Sequence, residues 1–288
     1  MRIVSLLSRR EPVFSFEFFP PRTEAGDRAL LATLGELRAL APDYVSVTYG
    51  AGGTTRDRTV ELVSYIKNEL GLEAMAHLTC VGASREELAS VLDRLQDAGI
   101  ENVIALRGDP PVGEESFVPH PQGLAYACQL VELIREQKRP FCVAGACYPE
   151  KHVEAVSFDE DLGRLAEKVA AGIDFLITQL FFDNRSYFEF VTAARKAGIA
   201  VPIIAGIMPI TNLGQIERFT KRCGAIIPDH LHARLEPHRE DSDTVEKLSV
   251  DWAVAQCREL LDAGVPGIHF YTLNKSRATR DILVRLRA

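Results

Sequence analysis

A chain of 288 residues with 47% hydrophobic and 25% charged residues has ordinary globular composition, enough for one large core or two small ones. Its net charge of -7, without basic blocks, argues against nucleic acid or an anionic membrane as the main partner. The cysteines (Cys80, Cys128, Cys142, Cys147, Cys223, Cys257) form no C-x-x-C pair, and no apolar run approaches the roughly 20 residues that span a bilayer, so a soluble, cytoplasmic protein without a zinc knuckle or redox dithiol is expected.

In chain order, Phe14-Ser15-Phe16-Glu17-Phe18-Phe19 favours a strand, ended by Pro20 and Pro21. Leu30, Leu34 and Leu37 stand at helical spacing within 23–39. Tyr44 to Tyr49 is strand-like and runs into a glycine-rich stretch, before a helix over 56–69. The third strand is Ala74 to Thr79. Ser84 with Glu87 reads as a capping box, with Leu88, Val91, Leu92 and Leu95 as the helical stripe. Asn102 to Leu106 is the fourth strand, followed by a helix over 123–137 and a fifth strand, Phe141 to Ala146. Ser157 with Glu160 reads as a second capping box, opening a helix to about Ala171. Phe175 to Leu180 is the sixth strand, 185–197 a helix, Pro202 to Ile207 the seventh strand and 212–221 a short helix. Residues 227–246, dense in histidine and charge, show no clear period. A helix over 245–263, an eighth strand Gly267 to Tyr271 and a last helix over 277–286 complete the chain.

Eight strands alternating with eight helices imply parallel βαβ units. Without a linker or composition break they fit a single-domain (β/α)8 barrel over 1–288. An open doubly wound sheet is the alternative, but it would be expected to carry G-x-G-x-x-G after the first strand, where this chain has Pro-Pro.

In such barrels the chemistry sits at the C-terminal ends of the strands. Those ends offer Glu17, Thr48 and Tyr49, His77, Arg107 and Asp109, Tyr148, Gln179, Met208 and Tyr271. Glu17 is either an exposed strand-end carboxylate or a general acid whose pKa is raised by the aromatic residues around it. His77 by itself reads as a satisfied core histidine. Arg107 and Asp109 could pair across a turn, and Gly108 between them would let a ligand approach the backbone. Asp161, Arg164 and Lys168 share one helix face, a solvated ion-pair face by default, although a cationic pair at a barrel mouth would suit a diphosphate. His230, His232 and His238 lack ordered ligand spacing, so no metal is indicated. No P-loop, nucleophile elbow or strand-borne Schiff-base lysine is present.

With these residues in view, the chain resembles the 5,10-methylenetetrahydrofolate reductases of the short bacterial type. The likeness is carried, in order from end to end, by F-S-F-E-F-F-P-P (14–21), V-S-V-T-Y-G-A (45–51), A-H-L-T-C (76–80), A-L-R-G-D-P-P (105–111), Y-P-E-x-H (148–152), I-T-Q-L-F-F-D (177–183) and H-F-Y-T-L-N (269–274). The resemblance implies a flavoprotein barrel that reduces 5,10-methylenetetrahydrofolate to 5-methyltetrahydrofolate and supplies methyl groups for methionine synthesis. It implies non-covalent FAD, with NADH as donor, hydride passing through the flavin, and folate and nicotinamide taking turns in one pocket.

By the same resemblance Glu17 is the general acid, and Asp109 favours the cation and hydrogen-bonds the pterin. Gln179 contacts substrate, and Gln215, Phe219, Tyr271 and Lys275 line the shared pocket. The flavin would be held by Thr48, Tyr49, Ala51, His77, Leu106, Arg107, Gly108, Asp109, Tyr126, Ala127, Tyr148, His152, Ala155, Asp161, Arg164 and Lys168. Three positions depart from the family's habit: Lys275 stands where arginine is common and lacks its fork, Glu167 where basic residues are usual, and Gln129 where aspartate is. The chain stops soon after the eighth unit, which by resemblance implies no S-adenosylmethionine-binding regulatory domain. Relatives form homo-oligomers, often tetramers. Two other readings are a flavin-binding subunit that needs partner proteins for its electrons, and a barrel that binds folate without catalysis. The first is disfavoured by the lack of iron–sulfur spacing, the second by Glu17.

Overall fold

Eight strands close into one parallel barrel in sequence order, β1 to β8, with β8 returning to β1. The structure is a computed structural model that describes residues 1–288 apart from 22, 51–54, 111–112 and 114–116. The strands are β1 (Val13–Phe18), β2 (Tyr44–Val47), β3 (Ala74–Thr79), β4 (Asn102–Leu106), β5 (Cys142–Cys147), β6 (Phe175–Thr178), β7 (Ile203–Ile207) and β8 (Gly267–Tyr271). The helices are α1 (Ile3–Leu6), α2 (Glu24–Arg38), α3 (Arg56–Asn68), α4 (Arg85–Asp97), α5 (Ala127–Glu136), α6 (Phe158–Ala170), α7 (Asn184–Lys196), α8 (Leu213–Cys223), α9 (Asp229–Leu235), α10 (Ser242–Asp262) and α11 (Arg277–Arg287). The barrel is the expected one, and closure removes the open-sheet alternative.

Successive strand side chains alternate between the barrel interior and the helix layer. In β1 the phenylalanines at 14, 16 and 18 join the outer core with Leu30, Leu34 and Leu37 of α2. Val13 joins the inner core, and Ser15 and Glu17 make their side-chain contacts with inward residues of β3 and β8. The inner core holds Tyr44, Met75, Ile104, Cys142, Ala144, Phe175, Ile177 and Ile204, with Ile3 and Leu6 of α1 packed onto it from the N-terminal end. Asn102 fastens α1 there: its Oδ1 accepts from the Ile3 amide at 2.8 Å and its Nδ2 donates to the Met1 carbonyl at 3.0 Å. Only Ile3 and Leu6 of this four-residue helix are buried, too few to show a period in the sequence.

The Ser84–Glu87 capping box forms in both directions, at 2.8 and 3.1 Å. The second expected box is half made. Ser157 Oγ accepts from the Glu160 amide at 3.1 Å, but Glu160 reaches back to the Val156 amide, one residue before the cap. The helix expected from 123 begins at Ala127, where the Gln129 side chain accepts from the amides of Ala125 and Tyr126 at 2.7 and 3.1 Å. That capping accounts for glutamine at position 129.

The stretch without a clear period is not a plain loop. It folds as α9 followed by a 3-10 turn, Glu236–His238, and lies on a separate apolar cluster. Leu180, Phe182, Met208, Ile210, Leu213, Ile216, Leu231, Leu235 and Val245 form it, with Phe219, Trp252 and Tyr271 packed against it. This cap joins α8, α9 and the start of α10 to the ends of β6, β7 and β8.

Candidate active site

Glu17 stands one residue from the end of β1, its side chain 18% exposed. The alternation above explains its surroundings. Its phenylalanine neighbours point away to the helices, and inward side chains of β3 and β8 meet it instead. His77 Nε2 lies 3.2 Å and His269 Nε2 3.4 Å from Glu17 Oε2. On the far side of its ring, His269 Nδ1 is 2.7 Å from Ser15 Oγ. The ring stacks on Tyr44 below, with centroids 6.2 Å apart, and meets Tyr271 edge-on at 5.3 Å.

The expectation of a raised Glu17 pKa is therefore overturned. Burial pushes it up, but the two histidines outweigh burial and hold it down at about 2. The folded value lies below the ordinary one, so the stabilisation is fully present above about pH 5 and is lost as pH falls through about 2. We expect the stability of the wild-type protein, relative to Glu17→Gln, to fall by about 2 kcal/mol between pH 6 and pH 3, measured by urea unfolding. A pH-independent difference would show that the histidines do not hold the carboxylate.

Beside Glu17 stands a second polar group of β8. The Tyr271 hydroxyl donates to the Thr178 carbonyl at 2.7 Å. Its ring lies close to β7, where position 206 is glycine: a Cβ there would meet the Thr178 carbonyl and then the Tyr271 ring and hydroxyl at 2.8 and 2.9 Å. The end of β8 is stapled to the end of β1. Asn274, at φ 57°, exchanges two hydrogen bonds with the Phe19 backbone at 2.9 and 2.8 Å, and Thr272 Oγ1 donates to the Glu17 carbonyl at 2.5 Å. Lys275 is exposed and reaches Thr211 Oγ1 at 3.4 Å, across to the loop before α8.

The far side of the mouth, after β3 to β5, is built differently. Gly108 has φ +90°, and a Cβ on it would stand 2.7 Å from Val81 and 2.9 Å from Thr79, so the chain passes where only glycine fits. Arg107 does not pair with Asp109. Both its terminal nitrogens grip Glu154, at 2.5 and 2.6 Å, and its guanidinium lies 5.1 Å over the Phe117 ring. Asp109 is exposed beside it. Tyr148 meets His152 edge-on at 4.7 Å, and Asp161 accepts from the His152 amide at 3.0 Å. Burial lowers the His152 pKa and also that of Lys168, whose ammonium donates to the Ala146 carbonyl at 2.5 Å.

The methylenetetrahydrofolate reductase family model matches residues 2–287. The chain belongs to that family. It is 38% identical over 295 residues to "Methylenetetrahydrofolate reductase (NADH) 1" of Arabidopsis thaliana, covering 99% of this chain and 50% of that one. It is 41% identical over 262 residues to "5,10-methylenetetrahydrofolate reductase" of Salmonella typhimurium, covering 91% and 86%. The chain thus spans about half the length of the plant relatives it matches and most of the bacterial ones. Among solved structures, a Clostridium thermocellum protein that binds two copies of 5-methyl-5,6,7,8-tetrahydrofolic acid superposes with a TM-score of 0.64 at 16% identity, covering 97% of this chain and 95% of that one. At that identity the likeness is one of fold.

The residues that resemblance to the methylenetetrahydrofolate reductases singled out fall in three groups. Glu17, His77, Gln179, Tyr271 and Leu106 are on or beside the barrel strands, and Gln179 bends back to its neighbour's amide at 2.9 Å. Arg107, Gly108, Asp109, Tyr148, His152, Ala155, Asp161 and Lys168 lie on the strand-end loops of β4 and β5 and on α6; Tyr126 and Ala127 open α5; Gln215 and Phe219 are half-buried on α8. Others stand apart. Arg164 is exposed and pairs with Glu167 at 3.2 Å, the solvated arrangement. The Tyr49 hydroxyl accepts from Arg56 Nε at 2.8 Å, and its ring joins the outer core. Thr48 is half-buried just beyond β2, and Ala51 lies outside the described residues.

His269 and Ser15 are the contacts that a ring of strand ends missed. Counting back two residues from Tyr271 and from Glu17 would have found both, since they share the inward face. Among the described residues one group has metal-ligand spacing, Glu217, His232 and Glu236, with ligand atoms within 4.8 Å of one another. The guanidinium of Arg239 lies between its two carboxylates. Among the described residues no helix is long and apolar enough to cross a membrane.

Proposed function

We propose that this chain reduces 5,10-methylenetetrahydrofolate to 5-methyltetrahydrofolate with NADH and non-covalent FAD. Family membership supports the substrate and the printed names of the plant relatives support NADH. The observation that carries the reading is Glu17, set into the barrel mouth between two histidines. Thr79 Oγ1 at the end of β3 is buried without a partner among the described residues, and the Gly108 backbone is open to close approach. With the half-buried cation of Lys168, these residues fit a large, polar, anionic cofactor such as FAD. His77, Arg107, Gly108, Tyr148, His152 and Lys168 would hold it. Bound there, FAD would carry the hydride from NADH to the folate.

The chain's own task is the proton. Opening the five-membered ring breaks the bond from the methylene carbon to N10, leaves an iminium cation at N5, and needs one proton on N10. Glu17 delivers it. Because Glu17 is held ionised, its proton has to arrive through neighbours, and His77 and His269 are the groups within reach. Asp109 at the rim favours the cation electrostatically. Hydride addition to the methylene carbon then yields the N5-methyl group, so one hydride and one proton are consumed per turnover. Tyr271 and Gln179 would frame the pterin.

The test is anaerobic. Purified protein should be yellow, bleach with NADH and recover colour when 5,10-methylenetetrahydrofolate is added. Flavin that ignores NADH would favour the partner-dependent reading, and protein that binds no added FAD would remove the flavin assignments.

A further inference from the structure

We propose that Arg239 is a positioning residue that holds α8 at the barrel mouth and so sets where Gln215 and Phe219 stand. The inference rests on the reading above, in which those two side chains line the pocket shared by folate and nicotinamide. At 100° per residue, Leu213, Ile216 and Thr220 form the buried stripe of α8. Gln215 and Phe219, four residues apart, lie on one flank of that stripe, and Glu217 lies on the other. Phe219 packs on the apolar cap that also holds Met208 and Tyr271.

Glu217 is the handle on the outer flank. Arg239 Nη1 and Nη2 grip its two oxygens at 3.0 and 2.7 Å, while Nε and Nη2 grip Glu236 at 2.9 and 2.6 Å. His232 Nε2 of α9 adds a contact to Glu217 at 2.9 Å. One planar fork thus ties α8 to α9 and the turn that follows, a geometry lysine cannot copy. The Arg239 guanidinium, with His232 beside it, holds the Glu217 carboxyl down at about 2. Remove the guanidinium, and Glu217 and Glu236 are left as like charges with only His232 beside them, at 2.9 and 3.6 Å, so the tie between α8 and α9 loosens.

The other end of the helix is anchored independently. Glu150 Oε2 accepts from the Ile226 amide at 3.0 Å, and Gly224, the left-handed cap at φ +79°, sits where a Cβ would touch Val153 at 2.9 Å. Without Arg239, α8 loses the tie on its outer flank while its buried stripe and C-terminal end hold, so it would roll about that stripe and carry Gln215 and Phe219 with it. The loops holding Tyr148 and His152 would stay in place.

The experiment compares flavin-loaded wild type with Arg239→Ala and Arg239→Lys. It reads the KM for 5,10-methylenetetrahydrofolate, kcat, flavin content and melting temperature. We expect KM to rise roughly tenfold in Arg239→Ala and less in Arg239→Lys, with kcat within about twofold and flavin content unchanged, the split that misplaced binding groups produce. An unchanged KM, whatever the melting temperature does, overturns the proposal. So does a KM that rises only together with loss of flavin and kcat, because that marks general loosening. Wild-type protein that turns over no folate would instead count against the functional reading, independently of Arg239.

Discussion

Glu17→Gln is expected to divide the reaction into an intact half and a failed half. Flavin reduction by NADH should stay within about threefold of wild type, while oxidation of the reduced flavin by 5,10-methylenetetrahydrofolate should slow by about 10²- to 10⁴-fold, the usual worth of a positioned general acid. Glutamine matches the shape of glutamate and can still meet His77 and His269, so the barrel should fold and hold flavin. What it cannot do is pass a proton. The nicotinamide needs no proton on N10 and no ring opening, which is why its half-reaction should survive. Stopped-flow absorbance of the two half-reactions is the measurement. Equal slowing of both would mean that Glu17 shapes the pocket; no slowing of the second would place the proton donor elsewhere.

The second large effect is expected at Gly108. At φ +90° any L side chain is strained by about 1–2 kcal/mol, and here the added Cβ also meets Val81 and Thr79 inside 3.0 Å. Relief requires the 107–109 segment to move, the segment proposed to meet the flavin. Gly108→Ala should therefore weaken FAD binding by about 5- to 30-fold from strain alone, read by titrating apoprotein and following the quenching of flavin fluorescence. The site lies on a surface loop, so circular dichroism of the variant should match wild type. Wild-type flavin affinity in a folded Gly108→Ala protein would show that the backbone there makes no close approach.

The barrel was legible because its signal is repeated. Eight apolar strands, each followed by an amphipathic helix, leave few topologies open, and the Pro20-Pro21 ending and the Ser84–Glu87 cap are local chemistry that tertiary contacts did not override. The site was legible as a ring of strand ends but not as a set of contacts. Glu17 shows how the two differ. Its neighbours in sequence are phenylalanines, yet its neighbours in space are histidines from β3 and β8, so its pKa moves down instead of up. Nearness along a strand is misleading because alternate residues occupy opposite faces. Arg107 makes the same point, since its partner is Glu154 on the next loop and not Asp109 two residues away. The cap of α9 was illegible for another reason. It buries only Leu231 and Leu235 and relies on charged pairing among Glu217, His232, Glu236 and Arg239, and charge carries no period.

The pairing of β8 with β1 has a consequence for how the protein comes into being. Ser15 and Glu17 meet His269 across separations of 254 and 252 residues. Nothing local can bring them together, so the cluster can form only when the last strand docks beside the first, late in synthesis and at a high cost in loop-closure entropy. A nascent chain that has made seven strands already has the Glu17 carboxylate but lacks one of the two histidines that lower its pKa. Formation of this cluster and completion of the fold are the same event, and the downward shift of one carboxylate's pKa reports on both.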